Sequence, residues 1–363
     1  MRILHVFRSP VGGLFRHVAD LARGQRALGH DVGIVCDSQT GGAPAEAALQ
    51  NLTSVCSLGI SRFPISTLPG FGDLAATRII AGRALAVTAD VIHGHGAKGG
   101  VFGRLAARQL NIRSVYTPHG GSLHYDWLRP PGAFFLAAER ALRFKNSGLI
   151  FVCQYERAVY ARKIGLGTGP NAVIHNGLWP EEFETRTLQA SATDLLFVGE
   201  MRKLKGVDIL LDAIAALPEG QRPSLTLVGE GRDQHQFQQQ AITRGLDGTC
   251  RFVGRKSMAE AKAMGRVLVL PSRHESFPYV VLEAVGAQVP VIASAIGGIA
   301  EILPPQCLVP VADVAALSAK LATVKAAEFQ SNELAAQLQG QARKKFGVAK
   351  MSAAVADFYT TLR

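Results

Sequence analysis

Cysteine is sparse. The five residues, Cys36, Cys56, Cys153, Cys250 and Cys307, are odd in number and never stand as a Cys-x-x-Cys pair. That excludes a disulfide scaffold and a thiolate zinc centre, and it fits a reducing cytoplasm. No apolar run reaches the roughly 18 residues of a spanning helix. The opening Met1-Arg2-Ile3-Leu4-His5-Val6-Phe7-Arg8 is too short between its charges for a secretory signal. Asp-x-Asp is missing throughout, which argues against a divalent-metal diphosphate site. Aromatic residues make up only 7%, and no RNP-like or helix-turn-helix pattern accompanies them, so nucleic acid is not expected as a partner.

What is present is apolar. Hydrophobic residues reach 48% against 18% charged, too much for a disordered chain. A length of 363 residues calls for two domains rather than one core. The formal charge is +11 and lopsided: residues 1–180 hold 19 Lys and Arg against 9 Asp and Glu, whereas residues 181–363 are almost balanced. A one-sided basic field suits an anionic partner, such as a phosphate-bearing substrate or a membrane surface. A solvated basic surface is the plainer alternative.

Short β-branched runs alternate with helix-period segments almost from end to end. Arg2–Phe7 reads as a strand, a turn at Gly12-Gly13 follows, and a helix then carries Val18, Leu21, Ala22 and Leu28 on one face. The rhythm repeats through a strand Leu149–Cys153, breaks over the polar stretch Trp179 to Thr193, and restarts at Leu195. Apolar strands alternating with helices imply parallel sheets covered on both faces. The expected fold is therefore α/β, with two Rossmann-like, doubly wound domains facing a central cleft, where ligands bind at strand carboxyl ends. Boundaries are placed at 1–178 and 179–345, with a closing helix, 346–363, docked back on the first domain.

The strongest chemical signal is His274-Glu275-Ser276-Phe277-Pro278-Tyr279-Val280-Val281-Leu282-Glu283-Ala284, just after an apolar strand. Ser276 is suited to cap a helix whose first turn tolerates Pro278. The free amides of such a helix start favour an anionic group. Glu275 and Glu283, about two turns apart, offer paired carboxylates for the vicinal hydroxyls of a sugar or ribose. A capping glutamate plus an ordinary surface charge is the competing reading. Arg202 and Lys205, at a strand-to-helix turn, make a natural diphosphate clamp or a solvated basic turn. Gly12-Gly13 permits close backbone approach or simply makes a tight turn. His93, His95, His119 and His124 fall near strand ends; with no accompanying carboxylate they read as structural, and no metal is expected.

Those residues resemble a known family. Leu270-Pro271-Ser272-Arg273-His274-Glu275-Ser276-Phe277-Pro278, Leu282-Glu283-Ala284 and Gly297-Gly298-Ile299-Ala300-Glu301 are similar to the signature of glycosyltransferase family 4, retaining enzymes of the GT-B fold. Gly12-Gly13, Pro118-His119-Gly120, Lys205-Gly206 and Val253-Gly254 extend the resemblance over nearly the whole chain. It implies a metal-independent transferase that needs no cofactor beyond a UDP- or GDP-linked sugar donor. His119, Arg202, Lys205 and Glu275 would be catalytic. Gly12, Gly13, Gly254, Ser276, Phe277, Pro278 and Glu283 would complete the donor site. The acceptor would be a glycan or lipid-linked glycan of cell-surface polysaccharide or lipopolysaccharide biosynthesis. The enzyme would be cytoplasmic, or peripheral on the inner face of the plasma membrane.

Helix 132–144 joins Phe134, Phe135, Leu136 and Leu142 to Arg140, Arg143 and Lys145, which fits either a bilayer interface or a core helix with a cationic end. Two rival functions stay in view. A nucleotide-sugar epimerase of similar architecture would need its own acid and base in the first domain and would consume no acceptor. A basic nucleic-acid-binding protein would need the recognition patterns that are missing.

Overall fold

The computed structural model describes residues 1–68, 70, 72–144, 146–325 and 332–362. The chain divides into two compact units: Met1–Gly177 together with the segment from Val348, and Leu178–Gly347.

The first unit is built on seven parallel strands: β1 (Arg2–Val6), β2 (Asp31–Asp37), β3 (Ile60–Phe63), β4 (Val91–His95), β5 (Arg113–Thr117), β6 (Ser147–Phe151) and β7 (Asn171–Val173). Their order is β3-β2-β1-β4-β5-β6-β7. The second unit has six: β8 (Thr193–Val198), β9 (Leu225–Val228), β10 (Cys250–Phe252), β11 (Gly265–Leu270), β12 (Val291–Ser294) and β13 (Leu308–Val309). These run β10-β9-β8-β11-β12-β13. Helices cover both faces, so the central strands are apolar without alternation; Ile3, Leu4, Val6, Leu195, Leu196 and Phe197 are all fully buried. This is the expected pair of doubly wound α/β units. In each, strand order reverses once, between β1 and β4 and between β8 and β11. Helices diverge there and leave strand carboxyl ends uncovered.

The last helix, Val348–Thr360, belongs to the first unit. It buries Met351, Val355 and Phe358, and it lies so close to helix Gly12–Ala27 that a Cβ at Gly24 would sit 1.9 Å from Ser352 Oγ.

Three details differ from the sequence reading. β3, β13 and helices Gly42–Gln50, Gly72–Ala86, Val314–Lys325 and Asn332–Lys345 have no counterpart in it. β6 starts two residues earlier and ends at Phe151, because Cys153 instead caps helix Gln154–Lys163, its Sγ accepting from Glu156 N–H at 3.4 Å. The segment read as helix 132–144 is a helix over Pro130–Ala141 with one buried face, formed by Gly132, Leu136 and Glu139. Leu136 and Leu142 are buried, Phe135 stacks on Tyr125 at 4.7 Å, and of the four apolar residues only Phe134 is exposed. Lys145 lies outside the described residues.

That helix is held by charge. Glu139, 3% exposed, accepts from Arg104 Nη2 at 2.7 Å, Tyr116 Oη at 2.8 Å and Ser122 Oγ at 3.0 Å. Arg104, 1% exposed, also donates Nε–H to Gly100 O at 2.8 Å, and its guanidinium lies 4.2 Å from the Tyr116 ring. Removing one partner strands a buried charge. Glu139→Leu is therefore expected to cost about 3–5 kcal/mol, and Arg104→Met with Glu139→Leu together less than either alone. Denaturant midpoints of the two singles and the double check this; additive losses would refute it.

Candidate active site

In the second unit the site gathers at the β8/β11 reversal. After β8, the turn Gly199–Arg202 leads into a short 3₁₀ segment, Lys203–Lys205, and then helix Val207–Ala215. Gly206 joins them with φ +74°, and a Cβ there would lie 1.9 Å from Pro271 O. Only glycine lets this turn approach the one after β11. The two turns are further locked by Arg273, whose N–H donates to Leu204 O at 2.9 Å and whose guanidinium grips both Asp208 oxygens at 2.7 Å.

This contact places Lys205 on Glu275. The ammonium donates to Glu275 Oε1 at 2.7 Å, and Ser272 Oγ donates to the same oxygen at 2.8 Å. Glu275 is nearly buried, its side chain 8% exposed, whereas Lys205 is 25% exposed. The carboxylate thus holds a cation at the mouth of the reversal. Arg202 lies one 3₁₀ turn away. Its Nη1 is 3.4 Å from Glu200 Oε2, while its Nε is buried with no protein partner. A buried donor left unmatched is costly unless a ligand oxygen completes it.

The other proposed donor residues divide. Ser276 does not cap the following helix. That helix, Tyr279–Gly286, starts from Pro278, and no side chain caps it. Ser276 lies two residues before that start, and its carbonyl accepts from Gly298 N–H at 2.6 Å. Gly297, at φ +64°, lies so close that a Cβ would meet Glu275 O at 2.3 Å. Phe277 and Pro278 are buried, the Phe277 ring 5.5 Å from that of Phe346. Glu283 is half-buried on the second turn of the helix. Gly254, at φ +71°, follows β10, and its carbonyl accepts from Gly229 N–H at 2.8 Å.

In the first unit, Gly12 and Gly13 begin helix Gly12–Ala27 beside the β1/β4 reversal. Both are exposed, no side chain caps the helix, and a Cβ on Gly12 (φ +67°) would meet nothing within 4 Å. An open, uncapped helix start suits an anion. His119 follows β5 at φ +51°, and Glu156 fixes its loop by accepting from Gly120 N–H at 2.5 Å and Val152 N–H at 3.0 Å.

His119 does not stand alone. His95 and His93 share one face of β4, two residues apart, and β1 places His5 opposite His93. A single hydrogen-bonded chain runs through them, and Gln25 sets its direction. The Gln25 amide oxygen takes the His5 Nε2 proton at 2.8 Å, which leaves His5 Nδ1 to accept from His95 Nε2–H at 2.9 Å. His95 Nδ1 is then a lone pair, facing His119 Nε2 at 3.2 Å. On the other side, the Gln25 amide nitrogen donates to Tyr359 Oη at 3.1 Å. Tyr359 donates to His93 Nδ1 at 2.7 Å, and His93 Nε2–H donates to Thr117 Oγ1 at 2.8 Å. His17, on the helix after Gly12-Gly13, points Nδ1 at Asn176 Oδ1, 2.9 Å away, and its buried Nε2 has no partner. The sequence reading missed His5, His17, Gln25 and Tyr359. Only the His-x-His spacing on β4 hinted at such a cluster.

Burial keeps these rings neutral. It lowers His5 and His17 to about 4, despite the opposing hydrogen bonds from Gln25 and Asn176, and it lowers His93, His95 and His119 well below the usual histidine range. The unfolded chain binds protons near pH 6.5 while the folded one does not, so stability falls as pH drops below 6.5 toward 4. The loss is expected to reach about 2 kcal/mol per histidine at pH 5. Urea midpoints at pH 7.5 and 5 check this; equal midpoints would contradict neutral burial.

Residues 11–182 match the model described as Glycosyltransferase Family 4, and residues 180–345 match Glycosyl transferases group 1. Glycogen synthase of Mycobacterium tuberculosis is 28% identical over 321 residues, 80% of this chain and 76% of its own. D-inositol 3-phosphate glycosyltransferase of Jonesia denitrificans is 26% identical over 328 residues, 79% of this chain and 76% of its own. HepE of Anabaena, solved in complex with UDP, superposes with a TM-score of 0.80 at 21% identity over 100% of both chains. WaaG, a glycosyltransferase involved in lipopolysaccharide biosynthesis, does so with a TM-score of 0.74 at 19% identity, covering 99% of this chain and 100% of its own. With its two halves matched in this order, the chain belongs to the family 4 glycosyltransferases and has their GT-B fold.

Proposed function

We propose that the protein is a retaining, metal-independent glycosyltransferase that moves a sugar from a nucleotide-diphospho-sugar to a glycan or lipid-linked glycan. The observation that carries this reading is the Lys205–Glu275 pair at the β8/β11 reversal, with Arg202 offering an unmatched buried donor one turn away. Lys205 and Arg202 hold the diphosphate and neutralise the charge that develops as it leaves. Glu275 holds Lys205 in place. His119 is assigned to the transferred sugar by the family resemblance. The acceptor hydroxyl oxygen bonds to the anomeric carbon on the face from which the phosphate oxygen departs. Its proton passes to that phosphate oxygen, so no protein nucleophile is needed. The complexes of HepE with UDP and with UDP-glucose support a uridine donor over a guanosine one.

Thermal shift with UDP, GDP and ADP, followed by product analysis with the matching sugar donor, tests this reading. Arg202→Ala is expected to weaken diphosphate binding. Glu275→Gln is expected to lower kcat/KM about 10- to 100-fold, because a charge-assisted hydrogen bond is worth roughly 1.5–3 kcal/mol. Chelator should leave transfer intact. Wild-type turnover in a folded Glu275→Gln variant, or magnesium-dependent rescue after chelation, would sink the assignment. A product formed from donor alone, without acceptor, would favour the epimerase reading.

The setting at a membrane surface rests on a patch that keeps Phe134 from the sequence reading and adds the segment before its helix. Leu128 is 97% exposed and Phe134 60%, with Tyr125, Trp127 and exposed Arg129 beside them in the chain. Exposed aromatic and aliphatic side chains among cations suit an anionic lipid surface. No helix among the described residues is long and apolar enough to cross a membrane. Binding to anionic vesicles should weaken with salt and fall several-fold in Leu128→Ser with Phe134→Ser. Absence of binding at low salt would remove the membrane setting and with it the lipid-linked acceptor.

A further inference from the structure

We infer that His17, His95 and His119 form a binding site for a single transition-metal ion, zinc or a chemically similar divalent cation. One ring nitrogen of each lies within 4.8 Å of the other two. His95 Nδ1 and His119 Nε2, at 3.2 Å, already have the separation of about 3.3 Å that two nitrogens take around a tetrahedral ion with bonds of about 2.0–2.1 Å. The ring centroids stand 4.7 Å (His17–His119), 5.5 Å (His95–His119) and 5.6 Å (His17–His95) apart.

Donor chemistry selects this triad over its neighbour. His5, His93 and His95 also lie together, but His5 and His93 each spend both ring nitrogens on hydrogen bonds. His17 differs. Asn176 takes its Nδ1 proton, so Nε2 carries a buried lone pair that nothing in the protein uses. His95 is locked by His5 and Gln25 with its Nδ1 lone pair outward. His119 sits at the open end of the chain, where its one proton can move to Nδ1 and free Nε2. Two of the three ligands thus donate their second N–H to a fixed acceptor, the arrangement that orients histidines on metals. Neutral rings need lose no proton to bind, and an all-imidazole set suits zinc, copper, nickel or cobalt rather than magnesium. Three protein nitrogens leave a fourth position for water.

The ion is not needed for the transfer proposed above. It occupies His119 and therefore switches transfer off. Only that consequence rests on the glycosyltransferase reading; binding does not.

Calorimetry with zinc on the chelator-stripped full chain is expected to give one ion per chain with submicromolar Kd, and cobalt should give the visible absorption of a four-coordinate nitrogen site. His17→Gln and His119→Ala should each weaken binding by more than the roughly 10- to 100-fold that losing a supporting partner costs. Their metal-free Tm values report folding, and His119→Ala changes only a half-buried loop residue. Exposed His235→Ala should bind as wild type. No binding, binding unchanged in both site variants, or binding lost with His235 would overturn the site. Full transfer activity in the zinc-saturated protein would overturn its placement on His119. If no donor supports transfer at all, the glycosyltransferase reading fails while calorimetry still decides the metal site.

Discussion

Everything functional in this chain depends on one topological constraint, the reversal of strand order in each sheet. Parallel strands joined by right-handed crossovers send their helices to one face on one side of the reversal and to the other face beyond it. Between β1 and β4, and between β8 and β11, no connection covers the strand ends. The residues there are free to carry chemistry because the fold does not need them for packing. Gly12-Gly13 and His95 stand at one reversal, Arg202, Lys205 and Glu275 at the other.

The second constraint is electrostatic. A carboxylate as buried as Glu275 is tolerable only if its lone pairs are used, and Lys205 with Ser272 uses one oxygen twice. The pairing also steadies a cation that remains 25% exposed and able to meet an anion. Stabilising the buried carboxylate and holding a partly exposed cation in place are therefore one arrangement. Glycine supplies the geometry. Gly206 lets the Lys205 turn approach Pro271, and Gly297 lets a third turn close over the Glu275 carbonyl. Any side chain at either position would push apart the backbones that bring Lys205 to Glu275.

The architecture was legible because buried parallel strands write themselves as unbroken apolar runs, and helices between them as periodic ones. β3, Ile60-Ser61-Arg62-Phe63, escaped because an edge strand with no fully buried residue has no such run. Lys205 and Glu275 were legible as motif residues, yet their mutual contact was not, since it spans 70 positions. Ser276 misled because a capping residue is a local signal, and here the helix starts two residues later, from Pro278. Helix Pro130–Ala141 was readable only as two alternatives. Its apolar residues fitted either a membrane or a core, and the structure divides them: Leu136 and the Arg104–Glu139 pair are buried, while Phe134 is exposed.

The histidine chain shows most plainly what sequence order conceals. Gln25 reaches His5 across 20 residues, His5 reaches His95 across 90, and Gln25 reaches Tyr359 across 334. No window of sequence contains this network, and no single member identifies it. Its direction follows from one side chain: with the Gln25 amide oxygen on His5 and its nitrogen on Tyr359, each ring bonded in turn takes one tautomer. Tyr359 is the far anchor, accepting from Gln25 and donating to His93. The first unit therefore includes the end of the chain for a polar reason as well as an apolar one. Without helix Val348–Thr360, the Gln25 amide and His93 Nδ1 would be left buried and unmatched, and the histidines beside the reversal would lose the partner that orders them.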